Sequence, residues 1–318
     1  MRHTIIHIGA NKTASTTLQR ALFAKDGDIC YIGEDASGYV DYADIINSMV
    51  SDDDLHFNSE ECRLLFESYL KKEVNKTLVF SNEDVMTSRI PAICAKRLHS
   101  YMPHSKILLV VRNQYSAVQS FYANHGAFLK PAPPSYFRRH VSFDEWVTHH
   151  ATFFKYGPLA SFKYSTILSV YEDLFGPENV HVLMFEEFVR DKRSFVGKLA
   201  DILRIDSEHA MQLIQMSHER PRNTNRMLAY NKFRSSFFWG VDFTSYLPFG
   251  SRLLELFDAF LSRGEPAKIS MSENAKNRIF ALYGKENSDL ALKYNLPLAE
   301  CGYPMQNTNM DASGKGGQ

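Results

Sequence analysis

Short, almost wholly apolar runs alternate along the chain with longer stretches in which apolar residues recur every three or four positions. Residues 4–9 (TIIHIG), 77–81 (TLVFS), 106–111 (KILLVV) and 179–185 (NVHVLMF) are runs of the first kind, and their length predicts strands. Residues 15–24, 60–72, 92–100, 114–123, 186–204, 207–218 and 272–292 carry the second pattern, which predicts α-helices. Strands this apolar fit burial on both faces, and strands that alternate with helices form parallel sheets. The pattern therefore predicts an α/β fold, with one parallel sheet in a three-layer α/β/α sandwich.

Three stretches break the rhythm. Residues 127–142 (AFLKPAPPSYFRRHVS) hold three prolines and a basic cluster, which predicts an excursion between core elements. Residues 219–226 (ERPRNTNR) read as a polar, basic loop. Residues 233–262 are rich in aromatic side chains. Their centre, 235–249, admits two readings: core and lid packing, or the lining of a binding pocket or a membrane-facing surface. The expected organisation is a single domain over residues 1–305, with excursions near 127–142 and 231–262 and a disordered tail over 306–318.

Composition narrows the function classes. Of 318 residues, 44% are hydrophobic and 23% charged, which is ordinary for a protein with a buried core. Lys plus Arg and Asp plus Glu both number 36, so there is no global basic field to hold a nucleic acid. Cys30, Cys62, Cys94 and Cys301 form no CxxC pair, which argues against a zinc site or a disulfide framework. The N-terminus runs into a strand without a signal-peptide pattern, and no stretch approaches about 18 apolar residues. A cytoplasmic protein with reduced thiols is expected.

The densest chemistry follows the first strand. Lys12 comes three residues after Gly9, and Thr13, Ser15, Thr16 and Thr17 crowd in before an apolar helix pattern starts at Leu18. A helix start leaves backbone N–H groups unpaired at the positive end of its dipole. A loop wrapped there suits a phosphate, and Lys12 and the hydroxyls add charge and donors. The alternative is a helix start rich in N-cap residues and without a ligand. The Walker A spacing, GxxxxGK[ST], is not met: the second glycine is missing and the lysine comes too early.

Lys12-Thr13-Ala14-Ser15-Thr16-Thr17, preceded by His7-Ile8-Gly9, resembles instead the 5′-phosphosulfate loop of sulfotransferases that use 3′-phosphoadenosine-5′-phosphosulfate (PAPS). The likeness is to their bacterial and carbohydrate-type branch, and it implies their P-loop NTPase-like fold. Ala14 departs from the pattern, because the family usually has glycine there. A Cβ restricts positive φ and close backbone approach to phosphate, yet alanine adds the least bulk, so binding is expected to survive. The family's second signature, a strand-ending Arg with a Ser about eight residues on, is matched by Arg112 and Ser120, with Gln114 in place of a proline. In the family this pair holds the 3′-phosphate, and a guanidinium fork suits that task. Alone, Arg112 would read as a surface ion-pair residue. Residues 174–203 resemble the family's late strand and helix, where Glu186 and Glu187 read as structural. Arg222 and Asn223 fall where the family often supplies a late loop to the nucleotide, or else lie in a solvated loop.

The resemblance implies in-line sulfuryl transfer to an acceptor hydroxyl or amine, with PAPS as co-substrate, 3′-phosphoadenosine-5′-phosphate (PAP) as product and no metal. Lys12 would stabilise the leaving phosphate, and residues 13–17 would bind it. Glu83, in LVFSNEDV after the second predicted strand, emerges on the same sheet edge and is the expected general base. Carbohydrate-type relatives place a glutamate there; small-molecule types usually place a histidine. Glu83 or Asp84 could instead cap the next helix, and His125 is the reserve base. The expected acceptor is a small molecule or glycan, with peripheral membrane contact if it is a glycolipid. Arg138, Arg139 and His140 would then flank an anionic acceptor. Two other classes stay open: a Mg-ATP-dependent small-molecule kinase, and a non-catalytic PAP-binding protein.

Overall fold

The computed structural model describes residues 2–123, 140–217, 224–237 and 260–306. His125, Arg138, Arg139, Arg222, Asn223, residues 238–249 of the aromatic stretch and nearly all of the expected tail lie outside the described residues.

Five parallel strands make one sheet among the described residues: β1 (Thr4–His7), β2 (Ile29–Gly33), β3 (Thr77–Ser81), β4 (Lys106–Val111) and β5 (Val180–Met184). Their order is β2-β3-β1-β4-β5. In register, Ile6 pairs with Phe80 on one side and Ile107 on the other. The chain runs from β1 outward to β2, returns to β3, then crosses β1 to β4. The order thus reverses beside β1, where α/β proteins form a crevice outside the strand carboxyl ends. β1 and β3 are buried along their whole length, as expected of strands covered on both faces.

Helices cover both faces. Ile5, Val79, Leu108 and Val110 share one core with Leu18, Leu22 and Phe23, with α9 (Phe185–Arg190) and α10 (Lys192–Leu203), and with α11 (Ser207–Gln215). On the opposite face Phe66 of α3 (Ser59–Lys71) meets Phe80 of β3, with ring centroids 5.6 Å apart. On that face lie α2 (Ala43–Ser51), α5 (Pro91–Tyr101) and α8 (Tyr164–Phe175), with α8 against β4 and β5. The expected α/β class with a covered parallel sheet is the observed one.

Several details differ from the sequence pattern. β2 was not among the expected strands; its apolar run, Ile29 to Ile32, is only four residues long and begins soon after the helical segment that ends at Phe23. The run 186–204 is two helices, because Asp191 leaves helical geometry (φ −141°) and caps α10 by accepting from the Ser194 amide at 3.0 Å. Both halves pack on the same core through Phe188 and Phe195, so the apolar period runs across the break. α2, α8 and α7 (Phe143–Thr152) were also unforeseen. α12 (Asn225–Phe237) begins inside the stretch expected to be loop.

The chain divides into two compact units. The first (Met1–Gln114, Pro158–His218, Tyr283–Gln318) holds the whole sheet. The second (Tyr115–Gly157, Glu219–Leu282) holds α7, α12 and all but the first residue of α6 (Gln114–Phe121). Within the second unit Trp146 packs on Phe121, Tyr122 and His150, and Ser142 and Glu145 form a capping box at the start of α7.

Candidate active site

The end of β1 turns because of its glycine. Gly9 sits at φ 111°, and a Cβ there would lie 3.4 Å from both Cα and Cβ of Glu83. Only glycine meets that conformation and that close approach without strain. Gly9 and Ala10 still bond to β4, with Val110 N donating to the Gly9 carbonyl at 3.0 Å and Ala10 N to the Val110 carbonyl at 3.3 Å. Lys12 (φ 68°) and Ala14 (φ 67°) then adopt left-handed backbone. Such a turn before a helix gathers successive N–H groups into an anion-binding concavity. α1 (Ser15–Thr17) follows and continues as a wider-wound turn through Leu18–Phe23, its first helical bond running from Leu18 N to the Ala14 carbonyl at 3.0 Å.

The four hydroxyls divide into two pairs. Thr13 and Ser15 are buried and turned inward. Thr13 Oγ1 donates to the Ala10 carbonyl (2.6 Å), and Ser15 Oγ to Glu83 Oε2 (2.7 Å), with the Ala10 carbonyl at 3.1 Å. Thr16 and Thr17 are half-buried and make no side-chain hydrogen bond among the described residues. The hydroxyls of Thr13 and Ser15 thus hold the loop, whereas those of Thr16 and Thr17 are not engaged by the protein among the described residues. Beneath them lies a buried polar floor: His7 Nδ1 is 2.7 Å from Ser81 Oγ, which also accepts from Gln19 Nε2 at 3.0 Å. Burial pushes the His7 imidazole down to about 4, so the ring is neutral near pH 7.

Glu83 stands at the end of β3, one residue before α4 (Asp84–Thr87). Its side chain does not cap that helix; it accepts from Ser15 instead. Asn82 makes the turn, accepting from Asp84 N at 2.8 Å. Burial raises the Glu83 pKa above the usual carboxylate value, while the Ser15 hydrogen bond and the Lys12 charge pull it down. The carboxyl opens on a cavity of about 240 Å³ whose walls include Gln19, Glu34, Tyr39 and Asn82.

The end of β4 joins the same edge. Arg112 Nη1 donates to the Lys12 carbonyl at 2.7 Å, and its guanidinium lies 4.5 Å from the centroid of the Phe185 ring. The loop that carries it is held on both sides. Asn113 N donates to Glu186 Oε1 (2.9 Å), and Tyr303 Oη donates to Glu186 Oε2 (2.8 Å). Gln114, the departure from the proline pattern, is fully buried and exchanges two 2.9 Å amide hydrogen bonds with Asn287. Proline could make neither bond, and glutamine gives this junction a specific partner on α13 (Glu273–Tyr294). Glu187 is engaged by Ser194 and Lys198.

Lys12, Thr13, Ala14, Ser15, Thr16, Thr17, Glu83 and Arg112 therefore converge at the carboxyl ends of β1, β3 and β4. Ser120 lies on α6, eight residues after Arg112, in the second unit. Arg222, Asn223 and the reserve base His125 lie outside the described residues. Sequence reasoning missed Gln19, Glu34 and Tyr39. The run Ile29–Ile32 between Gly27 and Gly33 was the signal for β2, and it would have delivered Glu34 to this edge. Among the described residues no helix is long and apolar enough to cross a membrane.

A family model described as the sulfotransferase domain matches residues 5–248. No curated protein matches the chain. A sulfotransferase from Alicyclobacillus acidocaldarius is similar in structure, with a TM-score of 0.52 and 15% identity over 94% of this chain and 98% of that one. The sulfotransferase domain from the curacin biosynthetic pathway gives 0.45 and 13%, over 89% and 98%. A mouse sulfotransferase complexed with PAP gives 0.38 and 14%, over 87% and 88%. The likeness to the Alicyclobacillus protein is one of fold.

Proposed function

The chain belongs to the sulfotransferase domain family, and from that premise we propose that it moves a sulfuryl group from PAPS to a hydroxyl of a carbohydrate or related small molecule. One observation carries this reading: Ser15 bonds Glu83, and Arg112 bonds the Lys12 carbonyl, so a cation-bearing loop and a buried carboxylate share one strand-end crevice. The residues present suit a phosphosulfate. The left-handed turn at Ala14, the helix-start N–H groups and the Thr16 and Thr17 hydroxyls would hold the 5′-phosphate. Arg112 and Ser120 would serve the 3′-phosphate. When bound, the donor supplies a sulfur whose bridging oxygen departs on the 5′-phosphate.

Each protein group then has one task. Glu83, with its basicity raised by burial, takes the proton of the acceptor hydroxyl as that oxygen bonds to sulfur. Ser15 holds the carboxylate in position. Lys12 faces the charge that grows on the leaving oxygen, where a preorganised cation is most effective. Arg222 and Asn223 are further nucleotide contacts in this reading.

A thermal-shift titration with PAP, ADP and ATP plus Mg²⁺ tests it. A ligand at a hundredfold excess over Kd stabilises the folded state by about 2.7 kcal/mol. PAP is expected to raise the melting temperature more than ADP does, independently of Mg²⁺. A shift with Mg-ATP alone would make the protein a kinase, and the absence of a PAP shift would sink the sulfotransferase reading.

A further inference from the structure

Three polar side chains run from inside the sheet to the cavity: His7 on β1 and Ser81 on β3, both at 0% exposure, and Gln19 at 3%. Polar groups so deeply buried hold one arrangement when each donor meets an acceptor. The Ser81 hydroxyl has one proton to give. Gln19 Nε2 donates to Ser81 Oγ at 3.0 Å, so the Ser81 proton goes to His7 Nδ1 at 2.7 Å. The ring can accept it, because burial keeps His7 uncharged near pH 7. The amide nitrogen of Gln19 is thereby turned to the protein, and its oxygen is turned away. That oxygen accepts no hydrogen bond among the described residues and is not sealed from solvent, and Gln19 lines the cavity on which Glu83 opens. The backbone holds the residue as well. Ala24 N donates to the Gln19 carbonyl at 2.9 Å, the five-residue span of a wide turn, which recurs at functional sites.

Ser15 and Gln19 stand four residues apart on the helix, and their partners Glu83 and Ser81 two residues apart at the end of β3. The two bonds are thus neighbouring rungs between the same two elements, about 5–6 Å apart by helix geometry. At this edge a carboxylate that can take a proton stands beside an amide oxygen that can only accept a hydrogen bond. Two hydroxyls on adjacent carbons span such a gap when each donates outward. We infer that the acceptor is a vicinal diol: one hydroxyl meets Glu83, and the neighbouring hydroxyl donates to the amide oxygen of Gln19. His7 and Ser81 are positioning residues, which fix the amide before the acceptor arrives. A lone alcohol or a phenol would leave the amide oxygen facing it without a donor, which is costly once water is displaced. The cavity of about 240 Å³ lies below the roughly 300–1,000 Å³ of drug-sized pockets and suits one ring that carries both hydroxyls.

This rests on the sulfotransferase reading and names its substrate class. The first hydroxyl oxygen bonds to sulfur, and the bridging S–O bond breaks with its electron pair leaving on the 5′-phosphate. The proton of that hydroxyl passes to Glu83. The second hydroxyl is unchanged, so the product is the monosulfate ester of the diol.

Release of PAP from PAPS at pH 7 in the presence of cyclohexane-1,2-diol, 2-methoxycyclohexanol or cyclohexanol tests the proposal. The diol is expected to exceed cyclohexanol at least about tenfold in kcat/KM, as one well-placed hydrogen bond gives. 2-Methoxycyclohexanol keeps the second oxygen but not its proton, and should do no better than cyclohexanol. Gln19→Met should erase the diol advantage, chiefly through KM, with the PAP thermal shift retained. Should that variant fail to fold, Gln19→Asn withdraws the same oxygen and gives the same reading. Ser81→Ala leaves Gln19 in place but frees its amide, and should shrink the advantage. Equal rates for the three probes, no acceleration by the diol, or an advantage undiminished in the Gln19 variant would overturn the proposal while the PAP shift kept the parent reading intact. A methoxy probe as good as the diol would mean that the amide presents its nitrogen, and would overturn it too. Absence of a PAP shift in the wild type would instead overturn both.

Discussion

Glu83 and Glu186 each follow an apolar strand, on β3 and β5, and each looks in sequence like a carboxylate delivered to the sheet edge. Their surroundings differ in how much of each carboxylate is already used. Glu186 is bound at both oxygens, by Asn113 N and by the Tyr303 hydroxyl. It ties the Arg112 loop to the C-terminal segment of the first unit, together with the bond from Asn113 Nδ2 to the Cys301 carbonyl. The Glu83 carboxylate has a single hydrogen-bond partner among the described residues, Ser15, and faces a cavity. A carboxylate with both oxygens engaged is a structural brace. One that is buried, held at one oxygen and open at the other can exchange a proton with a ligand.

Exchanging each for its amide breaks this comparison most sharply. Glu83→Gln is expected to lower kcat by about 10²–10⁴-fold, the usual range for a lost general base, with the PAP thermal shift retained. Glu186→Gln should keep a measurable kcat but destabilise the fold by about 1–3 kcal/mol through broken buried hydrogen bonds, and it should weaken PAP by loosening Arg112. Urea denaturation and steady-state kinetics on both variants decide the matter. A fully active Glu83→Gln enzyme would remove the distinction.

The pH profile sharpens it further. In the proposed reaction Glu83 works as a carboxylate, and burial raises its pKa. The acid limb of kcat/KM should therefore lie above the ordinary carboxylate range, with activity falling as pH drops through it. Ser15 stabilises the charged form, so Ser15→Ala should move the limb to higher pH. A limb that stayed in place would mean that another group sets it.

The smallest expected effect concerns the loop itself. Ala14 is held at φ 67°, where a Cβ is strained by about 1–2 kcal/mol. Ala14→Gly relieves that strain but frees the unfolded chain, so a net gain of about 0.5–1 kcal/mol is expected. Differential scanning calorimetry with and without PAP would read it. A loss of stability would show that the turn depends on the alanine side chain.

Much of this arrangement was legible in the chain. β3 and β4 were read to the residue because each is an apolar run bounded by polar residues, and burial on both faces demands such a run. The crowding of Lys12 and the hydroxyls at a helix start was legible as a cluster of one cation and several donors. The direction of the Ser15 and Thr13 hydroxyls was not legible: they donate to the Glu83 carboxylate and the Ala10 carbonyl. Gln114 was visible only as a departure from a pattern; its reason, Asn287, lies 173 positions away.

The local periods of apolar residues thus determined the elements and the class of fold, because a strand or helix can hide only the face its own sequence makes apolar. The joining of those elements was decided by tertiary structure. The reversal of strand order beside β1, the meeting of Ser15 with Glu83 and the acidic walls of the cavity all depend on residues far apart in the chain. Hydrogen bonds and charge pairs act over a few ångströms of space, and no spacing along the sequence records which distant groups will come within that reach.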